Sequence, residues 1–549
     1  MNLASRLVLV IILLINLLQA AFTQLTGDEA LYWMYWNNLD WGYRDHPPMI
    51  GILIGLGYNL FQNELGVRLM ITLANTATIY LIWQLVRPSN WIHFFLLVVS
   101  IPVMMVYGFI ATPDAPLLLA TAIYLTVWKH FLEKRTALSA LLLGISMAFL
   151  LWCKYHGIFI ILFTLLPLRS IWFNRNYWLA AVIGIVLFAP HLIWQIMHDL
   201  PTVKFHLNER NSDAWDHRHI LGYLGGQLLV FNPVVLGYAI YLLIKTHAQN
   251  SFEKSIRWLF VVMISIFFIN SFRGRVEPHW TAPLALVLIY LFSLHWKENP
   301  PGKWLKSGLV FFAVILLAVR FLMIVDLLPG LHKEFHRNKP KMQALHNLAG
   351  EQPVCFMNSY QNPSLYMFYT GGIAHSVNNT EGGKNQFDFW NYADFLDHKP
   401  FVFVASYDHA DFQSRNMDSF DFRVREFQDL PIAHKLKIRT DAWLFKLHPG
   451  DSLVAEAWII NGNNYPFPFN NSNYPFKWTA YYNHKKPAQF HSPISVDGLP
   501  NVLQPGDSAR VTLRTLAPNQ AGTHRMAVSL EIWNLPGTYQ SNWMRVELE

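Results

Sequence analysis

The chain has 549 residues, 53% of them hydrophobic and only 14% charged, too long for one ordinary domain and too apolar for a soluble protein of this size. Its formal net charge of +7 is unevenly spread: residues 1–330 hold 22 Lys and Arg against 15 Asp and Glu, while residues 331–549 hold 20 of each. The excess lies wholly in the apolar part, where membrane topology accounts for it and a nucleic-acid surface does not.

Apolar runs of the length a bilayer demands fall at 7–25, 66–86, 91–110, 116–131, 138–152, 157–171, 177–197, 221–244, 258–272, 280–296 and 307–328, eleven in all. The first resembles a signal peptide, with Arg6 ahead of it and Ala20 and Ala21 at its end. It is expected to remain as an anchor, because cleavage there would leave the next loop untethered. With the N-terminus cytoplasmic, the inner loops collect Lys and Arg and the outer loops collect Asp and Glu, the positive-inside pattern. An odd number of spans then places the C-terminal half outside, so the chemistry is expected on that face.

Directly after the first run comes TGDEALYWMYWNNLDWGYRDHPPM, residues 26–49. Thr26 to Glu29 fits a capping box, which gives Glu29 a structural role and leaves Asp28 unexplained. Residues 28–38 read as a short helix rich in Tyr and Trp, suited to the headgroup level. Pro47 and Pro48 open a second apolar stretch of about 14 residues, too short to span. Two interfacial helices with acids between them are expected.

Further charges occur at membrane depth, where they are functional candidates by default. Asp114 opens a helix in ATPDAP, either as its cap or as a second catalytic acid. Lys154 and His156 lie in CKYHG at the outer end of a hydrophobic hairpin, and snorkelling is the plain reading of Lys154. The segment 198–210 adds Lys204, His206 and Arg210, and RGRVEPHW at 273–280 adds Arg273, Arg275, Glu277 and His279. Cations from several outer loops around a few acids point to an anionic ligand.

Composition changes near residue 331. Short apolar strands interleaved with helix-like segments predict a small α/β domain over 331–448. From 449 to 549, alternating stretches such as SLVAEAWII and THRMAVSLEIW between Pro and Gly turns predict an Ig-like β-sandwich without chemistry of its own. Cys153 and Cys355 are too few and too scattered for a disulfide framework.

The motifs TGDEALYW, LDWGYRDHPPM, TPDAPLLL, KYHG, PHLIWQIMHD and EPHWTAP together resemble, over roughly residues 5–300, the bacterial members of glycosyltransferase family 39 and its relatives. These include protein O-mannosyltransferases, lipid A aminoarabinose transferases and similar lipopolysaccharide transferases. The resemblance implies a polytopic helical GT-C membrane fold in the inner membrane, a polyprenyl-phosphate-linked sugar as donor and an active site on the periplasmic side. It implies that Asp28, with Glu29 beside it, is the acid that serves as general base for an acceptor hydroxyl, and that Asp114 is a second acid near the site. Lys154, His156, Lys204, Arg210, Arg273 and Arg275 are then the groups expected around the donor phosphate, with His46, Glu277 and His279 close by.

Aminoarabinose transferases tend to carry Glu-Lys before the double proline, where this chain has Asp45-His46. The phosphate-binding lysine is therefore missing, and Asp45 with His206 is the place expected for an optional divalent metal. A monophosphate leaving group does not itself demand one. The acceptor is left open between a glycolipid such as lipopolysaccharide and a protein hydroxyl. Two other classes fit parts of the pattern: a transporter or flippase of lipid-linked or anionic solutes, which should show inverted repeats and mid-helix breaks, and a binding protein, in which Asp28 would be dispensable.

Overall fold

Apolar runs satisfy their backbone polar groups internally as helices, and the N-terminal part of the chain is built that way. The computed structural model describes every residue except 205–215, 328–329, 331–333, 379–383, 397–398, 406–410, 434, 484–488 and 534. Two compact units result, Met1–Arg337 and Asn338–Glu549.

The first unit opens with α1 (Leu3–Phe22), followed by the two short helices expected in the first loop, α2 (Gly27–Asn37) and α3 (Met49–Tyr58). Then come α4 (Glu64–Val86), α5 (Trp91–Ser100), α6 (Pro102–Val106), α7 (Asp114–Glu133), α8 (Ala137–Cys153) and α9 (Gly157–Leu165). The series continues with α10 (Arg169–Trp172), α11 (Arg175–Met197), α12 (Pro201–Lys204), α13 (His217–Phe231), α14 (Pro233–Lys245), α15 (Ser251–Asn270), α16 (Leu284–His295) and α17 (Lys303–Ile324).

Among the described residues, five helices are long and apolar enough to cross a membrane, namely α1, α4, α7, α11 and α17, or six if the bent pair α13–α14 is one span. The other expected spans are helical but shorter or interrupted. Pro102 forces Ile101 into extended backbone and so separates α5 from α6. The helices α8, α9 and α16 have 17, 9 and 12 residues, and α15 carries Glu253, Lys254 and Arg257 near its start.

A break inside the expected run 221–244 occurs at Asn232, the residue before Pro233, where α13 and α14 meet at 95°. Asn232 adopts φ +63°, a strained region for a residue with a Cβ. Its Nδ2 donates to Ser100 O at 2.6 Å and its Oδ1 accepts from Val235 N at 2.8 Å, so the corner is fastened from within. Elsewhere small residues let backbones approach: a Cβ on Gly144 of α8 would lie 2.6 Å from Ala180 O of α11. That close packing brings the end of α11 beside the α8–α9 turn.

In the second unit, β1 (Val354–Met357), β2 (Ala374–Val377) and β3 (Phe401–Val404) pair in parallel, and β4 (Gln413–Met417) and β5 (Phe420–Phe427) extend the sheet antiparallel in the order β2-β1-β3-β5-β4. Parallel strands need crossovers, and Gln361–Thr370 supplies the one between β1 and β2. The second large sheet begins earlier than the predicted boundary at 449, because Leu436–Thr440 pairs with Ser452–Asn461 and Leu444–Leu447 pairs with Met544–Leu548. Ser452–Asn461 alternates exposed and buried residues along its length, as a half-buried strand must. Strand Gln489–Asp497 changes partner midway, pairing with Phe476–Asn483 through Ile494 and with Ser508–Leu516 from Ser495 onward. One apolar core runs from Cys355, Phe401 and Phe427 into Ile459, Trp478 and Val528, so both sheets belong to a single folded unit.

Candidate active site

The first turn of α2 is held by a capping box: Thr26 Oγ1 accepts from Glu29 N, and Glu29 Oε2 accepts from Thr26 N at 3.0 Å. The larger partner of Glu29 lies on α4. Arg68 Nε reaches Glu29 Oε1 at 2.7 Å and Nη2 reaches Oε2 at 2.6 Å, with both side chains wholly buried. The rest of the guanidinium donates to the carbonyls of Ala20, Thr23 and Gln24 at 3.1, 2.7 and 2.9 Å, closing the exposed end of α1. Glu29 Oε1 also accepts from Ala111 N at 2.8 Å. Thus the Glu29–Arg68 pair joins the end of α1, α2, α4 and the segment that leads into α7. Burial by itself raises the Glu29 pKa, but the Arg68 charge and hydrogen bond, with the amides of Ala111 and Thr26, bring it below its ordinary value.

Such a carboxylate has no capacity left to accept a substrate proton. Glu29, expected beside Asp28 as a catalytic acid, is therefore a positioning residue. Asp28 precedes it on the helix, about 100° away around the axis, and remains partly exposed while Glu29 is sealed. Of the two adjacent acids, only Asp28 keeps part of its surface exposed.

Asp114 opens α7, yet it makes no capping hydrogen bond, and Pro113 occupies the cap position. Lys154 claims it instead: Nζ lies 2.7 and 2.8 Å from the two carboxylate oxygens, both side chains being buried. Lys154 thus does not snorkel, and its charge is committed to Asp114 rather than held ready for a donor phosphate. His279 Nε2 stands 3.8 Å from Asp114 Oδ2 and is half-exposed, with His46 also in electrostatic reach of Asp114. Because Ala111 is tied to Glu29, the segment that leads into Asp114 is fastened to the helix turn that bears Asp28. Lys154→Met and Asp114→Asn should each cost about 3–5 kcal/mol by stranding a buried charge, and the double variant should recover most of that loss. Thermal unfolding of the three proteins in nanodiscs checks it; equal losses in all three would remove the pair's structural role.

The remaining candidates divide by location. Arg273 is exposed at the end of α15. Arg275 Nε pairs with Glu277 Oε1 at 3.1 Å in solvent, where such a pair contributes little to stability. His156 packs against Trp280 and Phe267, ring centroids 4.8 and 5.8 Å away, as part of an aromatic cluster. The Lys204 side chain, His206 and Arg210 lie outside the described residues. Asp45 carries Arg44 Nη1 at 3.3 Å, and among the described residues no group of three His, Cys, Asp or Glu can hold a metal ion.

Sequence reasoning missed Arg68, although an arginine inside GVRLMITL was a visible signal of a charge in an apolar helix. It also gave no role to His191, Gln195 and Thr202, which the structure gathers behind the first loop.

The family model described as dolichyl-phosphate-mannose-protein mannosyltransferase matches residues 45–194, a stretch that contains Asp114, Lys154 and His191 but not Asp28. Lipid A galacturonosyltransferase RgtD of Rhizobium johnstonii is 24% identical over 297 residues, covering 50% of this chain, and the chain spans 61% of that relative's length. The crystal structure of ArnT from Cupriavidus metallidurans bound to undecaprenyl phosphate matches with a TM-score of 0.55 at 14% identity, over 76% of this chain and 97% of ArnT. These likenesses support the GT-C glycosyltransferase resemblance seen in the motifs, and ArnT shows that the fold is shared.

Proposed function

We propose that the protein is an inverting membrane glycosyltransferase that moves a sugar from a polyprenyl-phosphate donor to a hydroxyl of a lipid acceptor on the outer face of a bacterial inner membrane. The observation that carries this reading is the contrast between adjacent acids: Glu29 is wholly buried and engaged by Arg68, Ala111 and Thr26, while Asp28 on the same turn is partly exposed. RgtD and ArnT support a lipid-linked donor and a lipid acceptor, and the positive-inside pattern supports a cytoplasmic N-terminus.

In this mechanism Asp28 accepts the proton of the acceptor hydroxyl as that oxygen attacks the anomeric carbon. The bond from that carbon to the phosphate oxygen breaks, its electron pair leaves on the lipid phosphate, and the configuration inverts. Negative charge grows on the phosphate, so fixed cations lower the barrier. With Lys154 bound to Asp114, the exposed Arg273 and Arg275 on the turn after α15 are the described candidates for that role.

The test is mass spectrometry of glycolipids and envelope proteins from cells with and without the active protein, followed by transfer in nanodiscs from a synthetic polyprenyl-phosphate sugar. A new sugar on a glycolipid is expected. Modification confined to proteins would replace the acceptor, and no sugar difference, in cells that make the lipid-linked donor, would end the reading.

A further inference from the structure

Asp45 and His46 sit in the turn between α2 and α3, and this turn is fastened by a polar network that the transfer chemistry does not use. His191 on α11 is fully buried. Its Nδ1 lies 2.8 Å from Trp41 O and its Nε2 lies 2.8 Å from Tyr155 Oη. A carbonyl can only accept, so Nδ1 carries a proton and donates to Trp41, and Nε2 is left to accept from the Tyr155 hydroxyl. Gln195 Nε2 donates to Tyr155 Oη at 2.9 Å and to Thr202 Oγ1 at 2.8 Å. The Thr202 hydroxyl in turn donates to Arg44 O at 2.6 Å.

Two carbonyls of the turn, those of Trp41 and Arg44, are thereby pinned. A third anchor comes from Trp194 Nε1, which donates to Asp40 Oδ2 at 2.7 Å. His191, Trp194 and Gln195 recur at the three- and four-residue spacing of one helix face, and Gly42 lies directly against it. A Cβ on Gly42 would stand 2.6 Å from the Trp194 ring and 2.7 Å from His191 Nδ1. Tyr155 also follows Lys154 in the chain, so one short turn serves both this network and the Asp114 pair.

We propose that His191, Tyr155, Gln195 and Thr202 are positioning residues: they hold the turn 40–46, and with it Asp45 and His46, at the rim of the active site in register with the Asp114–Lys154 pair. This rests on the glycosyl-transfer reading. Each of these contacts pairs a donor with an acceptor, with Gln195 Oε1 the one buried network atom lacking a partner among the described residues, so loss of a member leaves a further buried partner unmatched. The joining of α8 to α11 through Gly144 does not depend on it.

The test uses the full chain in nanodiscs, with amide hydrogen exchange over 40–46, binding of undecaprenyl phosphate and donor kinetics. Tyr155→Phe and His191→Gln should raise exchange of that turn and weaken undecaprenyl phosphate binding about tenfold, the size of effect one lost hydrogen bond produces. The KM for donor should rise likewise while kcat stays within about twofold. His191→Asn places an amide nitrogen near the Nδ1 position, keeps the bond to Trp41 and should restore much of the binding. Gly42→Ala, which wedges the turn away from the helix, should reproduce the His191→Gln result.

Unchanged exchange at 40–46 in Tyr155→Phe and His191→Gln would overturn the proposal. So would a loss spread evenly over the chain with a lowered unfolding temperature, which marks a merely structural role. Failure of the transfer reading itself would appear separately, as an Asp28→Asn protein that keeps its activity.

Discussion

Asp28→Asn is expected to lower sugar transfer by about two to four orders of magnitude while the protein still folds and still binds undecaprenyl phosphate. Asparagine has the size of aspartate and offers a similar oxygen, but its amide cannot take a proton at neutral pH. The neighbouring acid cannot substitute, because both Glu29 oxygens are occupied by Arg68 and by backbone amides. Measured turnover from a synthetic lipid-linked sugar, with unfolding temperature as control, decides the matter. Retention of more than about a tenth of wild-type turnover, against the loss expected for a missing general base, would remove Asp28 from that role.

The second large effect is on stability. Arg68→Ala should destabilise the first unit by about 3–5 kcal/mol, the cost of leaving a buried carboxylate unpaired, and it also removes the donors that close the end of α1. Glu29→Gln should lose less at pH 7, and its pH response is the diagnostic. The folded-state pKa of Glu29 lies below its ordinary value of 4.5, burial being outweighed by Arg68 and the hydrogen bonds. Its contribution is therefore complete above about pH 4.5 and is lost as pH falls through the lower folded value. Wild-type unfolding temperature should drop across that acid window, and the drop should be shallower in Glu29→Gln. Parallel acid profiles for the two proteins would contradict the pairing.

Local signals were readable in the chain and long-range partners were not. The capping box of Thr26 and Glu29 and the two short helices of the first loop follow from residues within one turn of each other. Arg68 stands 39 residues from Glu29, and nothing in either local pattern names the other. Asp114 carried a cap signature, yet its position relative to Pro113 left the oxygens free for Lys154, a choice made by the packing of α7 on α8. Counting apolar runs gives eleven, while five or six of the described helices are by themselves long and apolar enough to cross a membrane, because run length does not register the interruption at Pro102 or the corner at Asn232. Period-two alternation marked strands such as Ser452–Asn461, but it does not say which sheet a strand joins, and Leu436–Thr440 joined the later one.

The Glu29–Arg68 junction also imposes an order on biogenesis. The ribosome makes Glu29 39 residues before Arg68 and 82 residues before Ala111, so the nascent acidic turn spends time in the translocon or at the bilayer surface with neither partner. Only after α4 has inserted is the acid neutralised, and only when the chain reaches α7 does the rim that bears Asp28 become whole. The edge that bears Asp28 is thus a late product of insertion, assembled from pieces made at different moments.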